Sequence, residues 1–525
     1  MSGLFGTLGT ATSGITANQV ALQTTAHNIA NTNTDGYSRQ RVHMTTKPPY
    51  VIAGTGTIGT GVNVTGVERV VDDFVRSQIR EANSKYTYNT QKSDTLGQLE
   101  DILHEPSDDG VIKSLNTLTD SWQKLAENPE LGTSKTLVVE NANSFADSIH
   151  QMATQINQLH KDSISNLQKS VLDFNEKIDQ LADINKKVFT LTSRGETPND
   201  LLDQRDTLLK DISGLVNINT EFDEYGRTTL SVDGQTILDF KNETHNTLSV
   251  VVGTDANGNA LVSDRGDSSK ANVALGRQAE VGTVMLTKKD DAGNTAYSEI
   301  KTSEGDMGGY QESAKEILEH MDELNDFIAK IGKATNMVMT GGQNKLDGFF
   351  TLGNDPSRYA LDFKVNDAIA KDPSKIPAGK ALDGTGSAGD GSRALAVSWA
   401  MKTKFKTPVT DTDLDTYNEA TMKFTESQDG QTFAETFNNI VTKNGISKQK
   451  ADNMAAAQKV VLNNLENKNE SMSGVNINEE MSDVIKFQQG FQANTRVLSV
   501  IAEMLDTLVN KTGCLLYTSD AADDR

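Results

Sequence analysis

Leu4, Leu8, Ala11, Ile15, Asn18, Leu22, Thr25 and Ile29 follow one another in alternating steps of four and three. That spacing predicts a helix with an a/d seam over the first thirty residues. The seam is leaky. Asn18 and Thr25 are polar, and Gly3, Gly6, Gly9 and Gly14 each weaken a helix by about 1 kcal/mol against Ala. Asn31 to Gly36 should end it, because Asn, Asp and Gly tolerate the left-handed backbone of a helix stop. Such a helix needs a partner.

The far end of the chain has a matching pattern. Met481, Val484, Gln488, Phe491, Thr495, Leu498, Ala502, Leu505 and Val509 keep the same spacing, with Asn478 and Glu480 at the predicted start. Ile485, Val497, Ile501, Met504 and Leu508 widen the apolar stripe, so this helix can touch more than one neighbour. The two ends are therefore expected to pair with each other or with copies of themselves. The assembly seam is Leu4, Leu8, Ile15, Leu22 and Ile29 on the first helix. On the second it is Met481, Val484, Phe491, Leu498, Leu505 and Val509.

Residues 133–194 hold neither Gly nor Pro, and two offset seams run through them: Ala142 to Leu159, then Ile164 to Leu181. A helix over 138–191 would be roughly 80 Å long at 1.5 Å per residue. Residues 311–339 and 446–470 predict further long helices of a bundle. Between 215 and 305 the period changes to that of strands. "TTLSVDGQTIL" predicts a hairpin turning at Asp233-Gly234, and Asn257-Gly258 and Ala292-Gly293-Asn294 punctuate other short strands. Residues 349–394 look similar, and "DGTGSAGDGS" within them predicts an exposed loop.

The expected fold is thus mainly α with β-rich insertions, an α+β chain of several domains. Residues 1–66 and 471–513 form a terminal coiled-coil domain. Residues 67–214, 305–348 and 395–470 form a long-helix domain. Residues 215–304 and 349–394 form β-rich surface insertions. A chain of 525 residues can bury cores of that number.

Composition narrows the function. With 50 basic and 72 acidic residues the formal net charge is −22, which repels nucleic acid and anionic membranes. No run approaches the about 20 apolar residues of a membrane span. No basic segment followed by an apolar one opens the chain, so no cleaved signal peptide is expected. Cys514 is the one cysteine, which excludes a disulfide framework and a thiolate metal site. It lies in "CLLYTSDAADDR", residues 514–525, which resembles a translated sequencing adapter and is set aside.

Candidate chemistry does not survive inspection. "GTGTIG", residues 54–59, fits a dinucleotide fingerprint, but an extended run follows where a helix should begin. His150 and His160 are ten residues apart, and no H-E-x-x-H, nucleophile elbow or phosphate loop occurs. Asp108-Asp109 and Glu479-Glu480 read as solvated or helix-start acids. "DANGN", 255–259, reads as a turn, and "LLDQRD", 201–206, as a helix with surface ion pairs. No catalytic, cofactor-binding or metal-binding residue is assigned, and no cofactor or enzymatic activity is expected.

Three segments carry a resemblance. "HNIANTNTDGYSRQRV" (27–42), "IGTGVNVTGVERVVDDFVRSQIR" (58–80) and "GVNINEEMSDVIKFQQGFQANTRVLSVIAEMLDTLV" (474–509) are similar to the flagellar axial proteins, the family of rod, hook and hook-associated subunits. Its motif falls on Asn28, Asn31, Gly36 and Tyr37. Ser38, Arg39 and Gln40, with "LLDQRDTLL" and "LDGFF", make the chain resemble the hook-associated branch.

The resemblance implies a secreted, extracellular structural subunit of the bacterial flagellum, needed for filament assembly and motility. It would leave the cytosol unfolded by type III export and form the first layer of the hook-filament junction. Implied partners are copies of itself in a ring at the hook tip, the hook protein and a second hook-filament junction protein. A cytosolic export chaperone would hold the C-terminal helix, with Ile485, Val497, Ile501 and Leu508 as contacts. Neither nucleic acid nor membrane insertion is implied. Two alternatives are another axial protein, from the hook or the filament side of the junction, and an enzyme carried on an axial scaffold. The insertions are too poor in His, Cys and clustered acids to favour the second.

Overall fold

The structure is a computed structural model that describes residues 2–52, 56–103, 110–241, 245–289, 294–343, 348–382, 385–406 and 410–511. Twelve α-helices lie in these residues. They are α1 (Ser2–Ala30), α2 (Asp73–Leu103), α3 (Val111–Glu127), α4 (Gly132–Thr192), α5 (Asn199–Leu215), α6 (Gly305–Thr340), α7 (Tyr359–Asp362), α8 (Asp367–Lys371), α9 (Ser392–Lys402), α10 (Asp411–Leu414), α11 (Phe433–Ser473) and α12 (Ile477–Asp506). The strands are β1 (Gln40–Thr46), β2 (Tyr50–Ile52), β3 (Gly56–Ile58), β4 (Val62–Arg69), β5 (Asn219–Phe222), β6 (Thr228–Val232), β7 (Gln235–Leu238), β8 (Thr247–Thr254), β9 (Ala260–Val262), β10 (Val273–Ala274), β11 (Val284–Lys289), β12 (Thr295–Glu299), β13 (Phe350–Thr351) and β14 (Lys364–Val365). Helices α1, α4, α6, α11 and α12 appear where the apolar period places them, whereas the period marks no helix over α2. The mainly α fold with β-rich insertions is the one observed.

The chain divides into two compact units. The end unit comprises Met1–Asn83, Phe174–Asn246 and Gln458–Arg525, and the middle unit Ser84–Asp173 and Thr247–Ala457. Helices α2, α4 and α11 contribute to both.

In the end unit α1 packs on α12 and on the β1–β4 ribbon. The ribbon pairs Gln40 with Arg69 and Thr46 with Val62. Strands β5, β6 and β7 form a three-stranded meander. Its β6–β7 hairpin turns at Asp233-Gly234, both with positive φ, as that dipeptide predicts. Asn185 of α4 anchors the meander: its amide donates to Thr228 O at 2.8 Å and its carbonyl accepts from Thr228 N at 2.9 Å. "GTGTIG" runs into strand β3, which pairs with β2, and strand β4 follows. Among the described residues the next helix begins only at Asp73, so none opens there to receive a pyrophosphate.

In the middle unit one continuous core joins α2, α3, α4, α6, α9 and the start of α11. It includes Leu99, Trp122, Phe145, Ile149, Ile317, Phe327, Val397 and Phe437. An antiparallel sheet in the order β10-β9-β8-β11-β12 forms the larger insertion, with Val251, Ala260, Val262 and Met285 buried. Residues 349–394 depart from the strand-rich expectation. Apart from the two-residue pair β13–β14 they form short helices and turns. Asp355, Asn366 and Asp372 accept hydrogen bonds from backbone N–H groups two residues on, and such local bonding competes with strand formation. Ala292-Gly293, Asp108-Asp109 and Leu346-Asp347 lie outside the described residues, as does 514–525.

Asp306 opens α6. Burial, with Asp173 nearby, raises its carboxyl to about 6. An acid whose folded value is raised costs stability as pH rises from its unfolded value towards the folded one. Asp306→Asn should therefore raise the melting temperature of the middle unit at pH 8 and leave it nearly unchanged at pH 4. Equal effects at both, followed by calorimetry, would contradict this.

Candidate functional site: the junction of the two chain ends

Helix α1 ends where expected. Asn31 N and Nδ2 both reach His27 O, at 3.1 and 3.0 Å, and Thr34 donates to Asn31 Oδ1. Gly36 then turns the chain with φ +77°, and a Cβ there would stand 2.1 Å from Thr207 Oγ1. Only glycine satisfies both constraints.

Asn28 is buried and uses its whole amide. Its Nδ2 donates to Gln40 O at 2.9 Å and to Glu480 Oε2 at 3.0 Å. Its Oδ1 accepts from Tyr37 Oη at 2.8 Å and from Gln40 N at 2.9 Å. One side chain thus ties α1, the motif loop, β1 and the start of α12 together. Burial, then the carboxylates of Asp200, Asp203 and Glu480, push the Tyr37 hydroxyl far above its ordinary range, so it acts as a donor.

The next three residues each reach another element. Ser38 N and Oγ donate to the Asp203 carboxylate at 3.0 and 2.5 Å. Arg39 bridges Glu479 at 2.8 Å and Glu480 at 2.7 Å, and its N–H bonds Ser473 O. Gln40 donates to Asp200 and accepts from Asn199. Arg69 at the end of β4 spans Asp203 and Asp206, both at 2.8 Å. Arg76 of α2 binds Asp206 and donates to Ser38 Oγ at 2.7 Å. Arg205 donates to Asp206 at 2.6 and 2.9 Å and to Gly226 O, with its guanidinium 4.2 Å over the Phe222 ring.

The "LLDQRD" segment was expected to carry surface ion pairs, and this is corrected. Asp203 and Arg205 are buried and Asp206 is nearly so. Burial alone would raise the Asp206 carboxyl. The guanidinium groups of Arg205, Arg69 and Arg76 outweigh it and hold it below the usual carboxylate range. Arg69 and Arg76 lie 125 or more residues from this segment. Its own four- and three-residue spacing could not announce them.

The assembly seams are placed less deeply than their period suggests. Leu4, Leu8, Ile15, Leu22 and Ile29 are half-buried, while Ala11, Ser13, Ala17, Ala21, Thr24, Thr25 and Asn28 form the buried line of α1. Small residues let the facing backbones come close. On α12, Val484, Phe491, Leu498 and Leu505 are half-buried and Met481 is exposed, as is Val509 just beyond its end. Of the second stripe, Ile485, Val497 and Leu508 are exposed, but Ile501 is buried, at 4% exposure, and lines one cavity with Leu4 and Thr7 of α1. Ile501 therefore belongs to the seam. The start of α12 also shifts: Asn476, not Asn478, is its N-cap, accepting from Asn478 N.

Among the described residues no group of three His, Cys, Asp or Glu side chains is placed to hold a metal, and no helix is long and apolar enough to cross a membrane. What the arrangement can do is join. It ties residues 28–40, 199–206 and 473–480 into one polar cluster around a helix pair.

Comparison with known proteins matches this geography. Residues 96–355 match the flagellar hook-associated protein FlgK helical domain. Residues 8–37 match the flagella basal body rod protein family, and 467–511 the flagellar basal body rod FlgEFG protein C-terminal region. Flagellar hook-associated protein 1 of Bacillus subtilis (strain 168) is 28% identical over 98% of this chain and 99% of its own length. That of Salmonella typhimurium is 24% identical over 95% and 98%. The solved flagellar hook junction protein FlgK from Burkholderia pseudomallei shares the fold over 76% of this chain and all of its own, with a TM-score of 0.56 and 12% identity. The family-matched segments at the two ends are the ones that meet in α1 and α12, and with the helical middle between them the chain belongs to the FlgK family of flagellar hook-associated proteins, structural components of the flagellum rather than enzymes.

Proposed function

We propose that this chain is the subunit that forms the first junction layer between hook and filament. The observation that carries the reading is the pairing of α1 with α12 through Asn28, Arg39 and Glu480. It brings two axial-family segments into one helix pair and leaves apolar residues on its outside. Copies of the chain, the hook protein and a second junction protein would cover that surface. Deleting the gene should leave hooks without filaments and spill filament monomer into the medium. Normal filaments on the deletion strain, by electron microscopy, would end the proposal.

We further propose that the chain passes unfolded through the flagellar type III apparatus, and that a cytosolic chaperone first holds α12. Ile485, Val497 and Leu508 are 44–53% exposed and form an apolar stripe that a partner would cover. Ile485→Asp with Val497→Asp should abolish chaperone binding. Ile501 is left unchanged because it faces α1. Unchanged binding by calorimetry would place the handle elsewhere.

A further inference from the structure

We infer that Gly14, Asn18, Gly490 and Asn494 form a reciprocal key that sets the register of the two chain ends and makes them select each other. Helices α1 and α12 run antiparallel. A Cβ on Gly490 would stand 2.7 Å from Asn18 Oδ1, and a Cβ on Gly14 would stand 2.7 Å from Asn494 Oδ1. Each asparagine thus sits over the glycine of the opposite helix. Each also donates its amide N–H to the glycine carbonyl one turn back in its own helix, Asn18 to Gly14 O at 2.7 Å and Asn494 to Gly490 O at 2.8 Å. The same five-residue motif, Gly-x-x-x-Asn, therefore occurs once in each helix, and the two copies interlock by an approximate two-fold relation.

Three features follow from this geometry. The asparagine amide is bonded within its own helix, so docking costs less than burying a free polar group. The glycine opposite leaves a gap that admits it, and a slip of one turn sets each asparagine against a side chain instead. The register fixed here also delivers Asn28 to Glu480, ten residues further along each helix, as the same offset requires. The apolar seam lacks this power. Apart from Ile501 its large residues are half-buried or exposed and would tolerate a slip by one turn.

Helix propensity gives the test a sign. Gly→Ala in a helix interior ordinarily stabilises. Gly6 and Gly9 face open space, so Gly6→Ala and Gly9→Ala should increase protection of α1 against hydrogen exchange in the full chain. Gly490→Ala should do the reverse, speeding exchange in both α1 and α12 by about tenfold or more, because the new methyl overpacks Asn18. Adding Asn18→Ala to Gly490→Ala should restore the level of Asn18→Ala alone. Adding Asn494→Ala should not. Gly14→Ala should mirror this, rescued by Asn494→Ala and not by Asn18→Ala.

The same variants, returned to the deletion strain, should show the same pattern in filament number. That second readout rests on the proposed junction role. Failure of the unaltered gene to restore filaments would count against that role alone, whereas the exchange pattern tests the key by itself. Gly490→Ala as well protected as the unaltered chain, or rescue by either asparagine alike, would overturn the key.

Discussion

Asp206→Asn should weaken the end unit by about 3–5 kcal/mol, the cost of breaking a buried ion cluster by removing one charge. The substitution keeps the volume and one acceptor oxygen. It leaves Arg69, Arg76 and Arg205 converging on a neutral group, with Asp203 still paired to Arg69 and Asp73 still acting on Arg205. Exchange in α5, β1 and β4 should accelerate, while the core around Trp122 and Phe327 in the middle unit stays protected. The loss should also depend on pH. Asp206 has a folded value below its unfolded one, so its contribution is present above the ordinary carboxylate range. It fades as pH falls through the depressed folded value, and the two chains should converge in strong acid. A loss under about 1 kcal/mol at neutral pH would mean the pairs behave as exposed ones do.

What could be read from the sequence follows from the range of each signal. Helical period is local, and α4, α6, α11 and α12 lie where it places them. Turn chemistry is also local, and Asp233-Gly234 makes the hairpin it predicts. The polar cluster is not local. Ser38 meets Asp203 across 165 residues, and "LLDQRD" looks like an ordinary charged helix until Arg69 and Arg76 are brought to it. The motif residues 28–40 could be recognised by resemblance, but their partners could not be named. The fold's own grouping differs from the division by sequence for the same reason. Residues 199–246 belong with the chain ends because Asp203 and Asp206 hold the motif and β4 there.

Period also fails to say which stripe of a helix faces which neighbour. The largest residues of α1 suggested the seam, yet its buried line is Ala11, Ala17, Ala21, Thr25 and Asn28. Close approach of two backbones favours small residues over large ones, a preference that a count of apolar positions does not weigh. Ile501 illustrates the converse. It looked like part of an outward stripe and is instead the most buried apolar residue of α12.

Leu22→Asp should leave the melting temperature of the middle unit unchanged and still abolish incorporation at the hook tip. Leu22 lies in α1, which contributes nothing to the core around Trp122. It is half-buried in the single chain, so an aspartate there can turn towards water at small cost. In the proposed assembly neighbouring copies would cover the helix pair, and burying an unpaired carboxylate there is prohibitive. The difference between chain and assembly depends on how weakly the ends are held alone. Helix α1 spends 29 residues on five half-buried large side chains, and α12 leaves Met481, Ile485, Val497, Val500 and Met504 exposed. Helices with so little buried apolar surface are marginal in water, because the ordering of each residue is scarcely offset. In dilute chain α1 and α12 should therefore exchange about a hundredfold faster, or more, than the stretch of α4 around Phe145 and Ile149. If dilute chain protects α1 as strongly as that stretch, or if Leu22→Asp still builds filaments, then the ends do not complete their folding on assembly.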